Sequence, residues 1–139
     1  MTRRRKAQRG SIAIQVGLLA TVLIGFAALG TEVTLLFLRQ RQMQSAADAA
    51  ALSAAMALTG KPAEDYQREA RAIAAASGFR DGTGGTRIIV NAPYGHRASA
   101  VEVIIRQPQA LTILGLFIAG RIDVGARAVA TAPPARLSE

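Results

Sequence analysis

An apolar run over residues 12–38 constrains this chain more than any other feature, being interrupted only by Gln15, Thr21, Thr31, Glu32 and Thr34. A helix needs about 20 apolar residues to cross a hydrocarbon core about 30 Å thick. Residues 12–30 meet that requirement and leave Glu32 near the far interface. That placement avoids most of the cost of a charge at the bilayer centre. A soluble core helix is apolar along one stripe, whereas this run is apolar on every face. The apolar region of a cleaved secretory signal is about 7–15 residues long. The longer run here predicts an uncleaved anchor.

The flanks orient the anchor. Of a net charge of +8, five positive charges come from Arg3, Arg4, Arg5, Lys6 and Arg9. Arg39 and Arg41 follow the run. The excess before the span predicts the N-terminus inside and the rest of the chain outside. No later segment carries a basic stripe with interleaved aromatics, so membrane lipid is the expected partner and nucleic acid is not. Ala13, Gly17, Thr21 and Gly25 fall four apart, on one side of the helix. Small residues at that spacing let membrane helices approach closely, which points to helix packing within a homo-oligomer or with another membrane protein.

Nothing after Leu38 breaks the helix until Gly60 and Pro62, the order of residues that ends one. Residues 12–59 then form one helix about 70 Å long at 1.5 Å per residue, more than twice the hydrocarbon thickness. Its outer half is rich in alanine and suits packing against a sheet or another helix, with Leu52, Met56 and Leu58 as the expected packing residues. Asp48 is placed to pair with Arg41 or Gln44, and it is the best candidate in this segment for contact with a partner.

Residues 62–77 read as a second helix, with Tyr66, Ala70, Ile73 and Ala74 on one face. Asp81, Gly82, Thr83, Gly84 and Gly85 read as a flexible loop. Strands are expected at 86–91 and 100–106, the latter with Val101, Val103 and Ile105 on one side. Pro108 is expected to open a short apolar helix running to about Ile118. At ten residues, the apolar stretch 110–119 is too short for a second crossing. Ile122, Val124, Ala126, Ala128 and Ala130 alternate as a last strand. The expected fold class is α+β. A single N-terminal transmembrane helix extends into a small pilin-like domain, whose three-stranded antiparallel sheet packs on the helix's outer half. The expected divisions are a basic tail over 1–10, a transmembrane helix over 11–38 and its extramembrane continuation over 39–60. A small domain over 61–132 and a tail over 133–139 complete the chain.

Enzymatic chemistry finds little to work with. The chain has no cysteine and one histidine, so a zinc site lacks its usual ligands and no disulfide exists. His96 beside Arg97 reads as a solvated loop residue. Glu64, Asp65 and Glu69 alternate with Arg68 and Arg71, which reads as a salt-bridged helix surface. No catalytic residue, metal or cofactor is expected.

Two resemblances sharpen this reading. Arg9, Gly10 and Ser11 lead into the apolar anchor, and Glu32 lies near its end. The block Gln44, Ala46, Ala47, Asp48, Ala49, Ala50, Ala51 and Leu52 follows. This segment resembles the N-terminal part of the bacterial TadG-like (TadE/TadG) proteins of Flp, or tight-adherence, pilus assembly. Met43 stands where that family usually has Leu. The resemblance implies a non-enzymatic, single-pass protein of the inner membrane. Its N-terminus would be cytoplasmic, its C-terminal domain periplasmic, and its partners other Tad membrane proteins or pilins. The same segment is similar to prepilins cut after Gly by a membrane peptidase, with a Glu five residues into the mature chain. Here the cut would follow Gly10, Ser11 would be the new terminus, and the fifth residue is Gln15. Gln15 cannot supply the charge that pairs with a neighbour's terminal amine, so an uncut assembly factor is the more economical implication. The alternatives are a processed minor pilin (pseudopilin) and a membrane-tethered envelope binding module.

Overall fold

The computed structural model describes residues 4–58, 63–116 and 121–132. Arg3, the helix stop at Gly60 and Pro62, the end of the apolar stretch and the tail over 133–139 lie outside the described residues. Over 4–11 the description is of the backbone.

The continuous helix is observed. α1 runs from Arg4 to Leu58. α2 (Ala63–Ala76) packs back against its outer part, followed by β1 (Arg87–Asn91), β2 (Ala100–Ala110) and β3 (Arg121–Thr131). The three strands form an antiparallel sheet in the order β1-β2-β3, as an α+β architecture requires. Its register pairs Arg87 with Arg106 and Arg127 with Ile104.

The alanines of α1 explain how a chain this short builds a core. Met43, Ala46, Ala47, Ala50, Ala51, Ala54 and Ala55 are all buried. At 100° per residue they cover about half of the helix circumference. α2 and the sheet can therefore both lie against α1, with α2 contributing the buried Tyr66, Ala70 and Ala74. Small side chains on both helices let the axes come to the short end of the usual 8–10 Å range. The sheet closes the core with Ile88, Val101, Val103, Ile105, Ala126 and Ala128. The alternation read for β2 and for most of β3 is thus the packed face, although Ile122 is exposed. Leu52 and Met56 differ from expectation. They fall on the opposite arc of α1 and are exposed, so the seam is made by Met43 and the alanines, with only Leu58 of the three larger residues packed against it.

α2 ends as its sequence predicts. Phe79 N–H donates to Ala74 O at 2.9 Å and Gly78 N–H to Ala75 O at 3.0 Å, with Gly78 at φ +92°. This is a Schellman cap, and the buried Phe79 supplies its hydrophobic contact. The following glycine-rich loop is tied down rather than loose. Gly82 N–H donates to Thr86 O at 2.9 Å, and the Asp81 carboxylate accepts Ile88 N–H at 2.9 Å. A Cβ at Gly85 would come within 2.7 Å of the Pro108 ring, so glycine is required for this close approach.

The segment after Arg106 corrects the expected helix. β2 continues through Pro108 to Ala110, and among the described residues of this segment Leu114–Leu116 alone makes a helical turn, of 3-10 type. Pro108 is tolerated because β1 has already ended opposite Arg106, leaving β3 as the sole neighbour there. A β-hairpin partner has overridden a sequence signal that reads locally as a helix start.

Candidate functional site: the apolar helix and its clamp

α1 is long and apolar enough to span a membrane, and its most apolar window is entirely unburied by the rest of the protein. Ile12, Ile14, Leu18, Leu19, Leu23, Ile24 and Phe26 all stand exposed. Each such side chain costs about 1.5–3 kcal/mol if left in water. This is the opposite of a soluble core helix, whose apolar surface is covered. The threonine hydroxyls in the run are accommodated locally. Thr21 Oγ1 donates to Gly17 O at 3.0 Å, Thr31 to Ala27 O at 2.9 Å and Thr34 to Gly30 O at 2.8 Å. Such bonds to the carbonyl four residues back satisfy a hydroxyl without a partner helix. Gly17 and Gly25 have open space beside them. Ala13, Thr21 and Gln15 are exposed on the same bare segment. Gly10 and Ser11 lie inside α1, together with the backbone of Arg4, Arg5, Lys6 and Arg9.

Glu32 is the organising residue at the outer end of this run. Its carboxylate accepts backbone N–H groups from three consecutive residues some 80 positions later. Thr112 donates to Oε1, Ile113 to both oxygens at 3.1 and 3.2 Å, and Leu114 to Oε2 at 2.8 Å. The first N–H groups of a helical turn have no partners within it. Here an acidic side chain of another element supplies them, and it fastens the β2–β3 connection to α1. Beside the clamp, Leu35, Leu36, Leu38, Arg39, Gln42 and Gln109 line a groove of about 400 Å³. Glu32 is legible in the sequence as one charge late in an apolar run, but its partners are not. The available signal was the coincidence of one acidic residue in an apolar run with a second apolar stretch at 110–119.

Farther out, the Ala-rich block divides by face. Ala46, Ala47, Ala50 and Ala51 are buried, whereas Gln44, Asp48, Ala49 and Leu52 are exposed. Gln44 Nε2 donates to Asp48 Oδ1 at 2.9 Å, one of the two pairings expected for Asp48, and also to Arg127 O at 3.1 Å. The block thus carries both the core seam and a polar tie to β3. Ser53 donates to Glu69 at 2.8 Å between α1 and α2, and Arg68 pairs with Asp65 as expected. Exposed His96 sits in the loop between β1 and β2 at φ +60°.

One polar cluster on the outer face of the sheet was not anticipated. Glu102 is 5% exposed. It accepts from Asn91 Nδ2 at 2.7 Å and is ion-paired with Arg127, which also donates to the Tyr94 hydroxyl. Burial alone would raise the Glu102 carboxyl, but the hydrogen bonds from Asn91 and Arg127 and the Arg127 charge outweigh it and hold it below the usual carboxylate range. A carboxyl depressed in the folded state stabilises fully above its unfolded pKa, and that contribution is lost as pH falls through the folded value. Unfolding of the outer domain is therefore expected to become easier on acidification below the ordinary glutamate range. A Glu102→Gln variant should be less stable at neutral pH and should have a flatter acid limb. An identical pH profile in wild type and Glu102→Gln, followed by tyrosine fluorescence, would rule this role out.

Residues 10–57 match the family described as putative Flp pilus-assembly TadE/G-like. The matched stretch is about a third of the chain and ends one residue before α1 does. It contains Glu32 and the whole alanine seam, and none of the sheet. Neither a curated protein nor a solved structure matches the chain.

Proposed function

We propose that this protein is a membrane-anchored, non-enzymatic structural component of an Flp/Tad-type pilus-assembly or secretion apparatus. In this reading α1 crosses the bacterial inner membrane once, with the basic N-terminus in the cytoplasm and the sheet domain in the periplasm. The observation that carries it is the coincidence, within 10–57, of a pilus-assembly family match with a bare apolar helix that runs unbroken into the seam of a folded domain. Its partners are other pilus-assembly membrane proteins or pilins. The test has two parts. In the native host, the chain should stay in the membrane pellet after carbonate washing, with its C-terminal domain digested by protease added to spheroplasts. Loss of the chain should abolish Flp-type piliation. A protein released by carbonate, or normal piliation without it, would refute the reading.

A second reading is a processed minor pilin, favoured by Gly10-Ser11 ahead of the apolar run and opposed by Gln15. Mass spectrometry of the native protein separates the two: a mature chain starting at Ser11 supports the pilin, and one starting at Met1 or Thr2 the anchor.

The face formed by Ala13, Gly17, Thr21 and Gly25 supplies a contact between anchors in this proposal. Leucine at both Gly17 and Gly25 is expected to weaken self-association in a membrane two-hybrid reporter severalfold, on the order of 1 kcal/mol or more. Unchanged association would remove that face from the assembly.

A further inference from the structure

The end of the sheet domain nearest the apolar run of α1 carries apolar side chains of its own. The exposed apolar surface of α1 continues past Glu32 through Val33, Leu35, Phe37 and Leu38. Residues 12–38 make a rod about 40 Å long at 1.5 Å per residue, against a hydrocarbon core of about 30 Å. Glu32 therefore lies at or just inside the outer edge of the core when that rod is seated in a bilayer. The turn that Glu32 holds lies at the same depth. Its side chains include Leu111, Ile113 and Leu114, all half-buried rather than buried, and Ala28, Thr31 and Leu35 of α1 line an apolar groove with Thr112 and Ile113.

Irregular backbone at membrane depth persists only where its polar groups are satisfied from within the protein. A carboxylate at that depth likewise needs donors. The Glu32 clamp meets both requirements at once, because three N–H groups of the turn are the donors. Above the turn the surface changes to arginine. Arg39 lies over the Phe79 ring at 6.0 Å, next to exposed Arg80. Arg121 opens β3 opposite Ala110, and Arg87 pairs with Arg106 farther up the sheet. These five arginines outnumber Glu32, Asp81 and Asp123 at this end; Glu32 is engaged by the turn and Asp81 by Arg71 at 3.5 Å.

We propose that this end of the domain is a lipid-docking surface: the clamped turn over residues 111–115 enters the edge of the leaflet beside α1, and Arg39, Arg80 and Arg121 take anionic phosphate headgroups. The occupant is the bilayer that α1 itself crosses, so the proposal rests on the membrane reading of α1. Two contacts, one spanning and one superficial, fix the tilt of the domain where a lone helix would leave it free to swing.

The chain contains no tryptophan and no cysteine, so single reporters are unambiguous. Leu23→Trp, Leu114→Trp and Val129→Trp full-length variants are to be reconstituted in phosphatidylcholine/phosphatidylglycerol vesicles carrying bromines at graded acyl depths. Leu23→Trp should be quenched most by deep bromines. Leu114→Trp should be quenched by shallow bromines, placing it about 5–10 Å below the headgroup boundary. Val129→Trp should answer to aqueous iodide alone. Ile113→Cys with an environment-sensitive fluorophore repeats the measurement should Leu114→Trp misfold. A Leu114→Trp signal that follows Val129→Trp, with Ile113→Cys also aqueous, overturns the docking while Leu23→Trp still reports a span. An unquenched Leu23→Trp instead overturns the anchor itself and the docking with it. Omitting phosphatidylglycerol should make Leu114→Trp shallower, and a depth indifferent to it refutes the arginine contacts.

Discussion

Replacing Ala50 with leucine is expected to destabilise the outer domain by about 1–3 kcal/mol, the range for adding methylenes to a well-packed core. Ala50 is wholly buried in the same cluster as Ala47, Ala54, Ala70 and Ala74. Alanine on both helices sets how closely their axes approach, so three extra carbons can be fitted only by moving α2 or the sheet outward. A domain this small has only a few kcal/mol of stability to lose. Ala49 supplies the control. It neighbours Ala50 in sequence but is exposed, and Ala49→Leu should change stability by no more than about 0.5 kcal/mol. Because the protein's two tyrosines, Tyr66 and Tyr94, both lie in the outer domain, denaturant melts in detergent followed by tyrosine emission read that domain and not the anchor. Equal stability of the Ala49→Leu and Ala50→Leu proteins would show that the seam is not close-packed.

That contrast also explains which parts of the fold could be read from sequence. α1, α2 and the alternating faces of the strands are encoded locally. Uninterrupted helix formers, a Gly78 cap and alternation at Val101, Val103 and Ile105 each need only their neighbours to be interpreted. The direction of the alanine seam is different. In a run where almost every residue is alanine, periodicity gives little phase, and the larger Leu52 and Met56 drew attention to the wrong arc. The winning face is set by what packs there, namely α2 and the sheet. Pro108 misled for a related reason. Its local signal is a helix start, and the paired strand β3 that overrides it begins thirteen residues later.

The candidate site was legible in the same uneven way. The long apolar helix was plain, since length and apolarity are local quantities, and Gln44–Asp48 followed from helical spacing. Glu102 and Arg127 could not be joined without the strand register, which places them on adjacent strands two positions apart and on the same face of the sheet. Glu32 was visible as an anomaly without an explanation, because its three donors lie some 80 residues away.

Glu32→Ala is the substitution expected to change the architecture most where the apolar run of α1 meets the sheet domain. It removes both acceptor oxygens and leaves the amides of Thr112, Ile113 and Leu114 without their acceptor, a loss that costs most where water cannot replace the bond. The β2–β3 connection should then detach from α1, while the seam farther out, which shares no partner with the clamp, keeps the rest of the sheet in place. Hydrogen exchange of the full chain in nanodiscs should show the Ile113 and Leu114 amides losing protection and the β2 amides around Val103 keeping theirs. Glu32→Gln should fall between, since one carbonyl oxygen remains to accept where two shared the load. Thr31→Ala removes a hydroxyl bond within the helix and one methyl beside the turn but keeps the Glu32 carboxylate, and it should leave the turn protected. Repeating the exchange in detergent separates the clamp from the lipid contact, because the carboxylate bonds do not depend on a bilayer. Protection at Ile113 and Leu114 that survives Glu32→Ala in both media would mean that the side chains of the turn hold it to α1 and that the carboxylate is incidental.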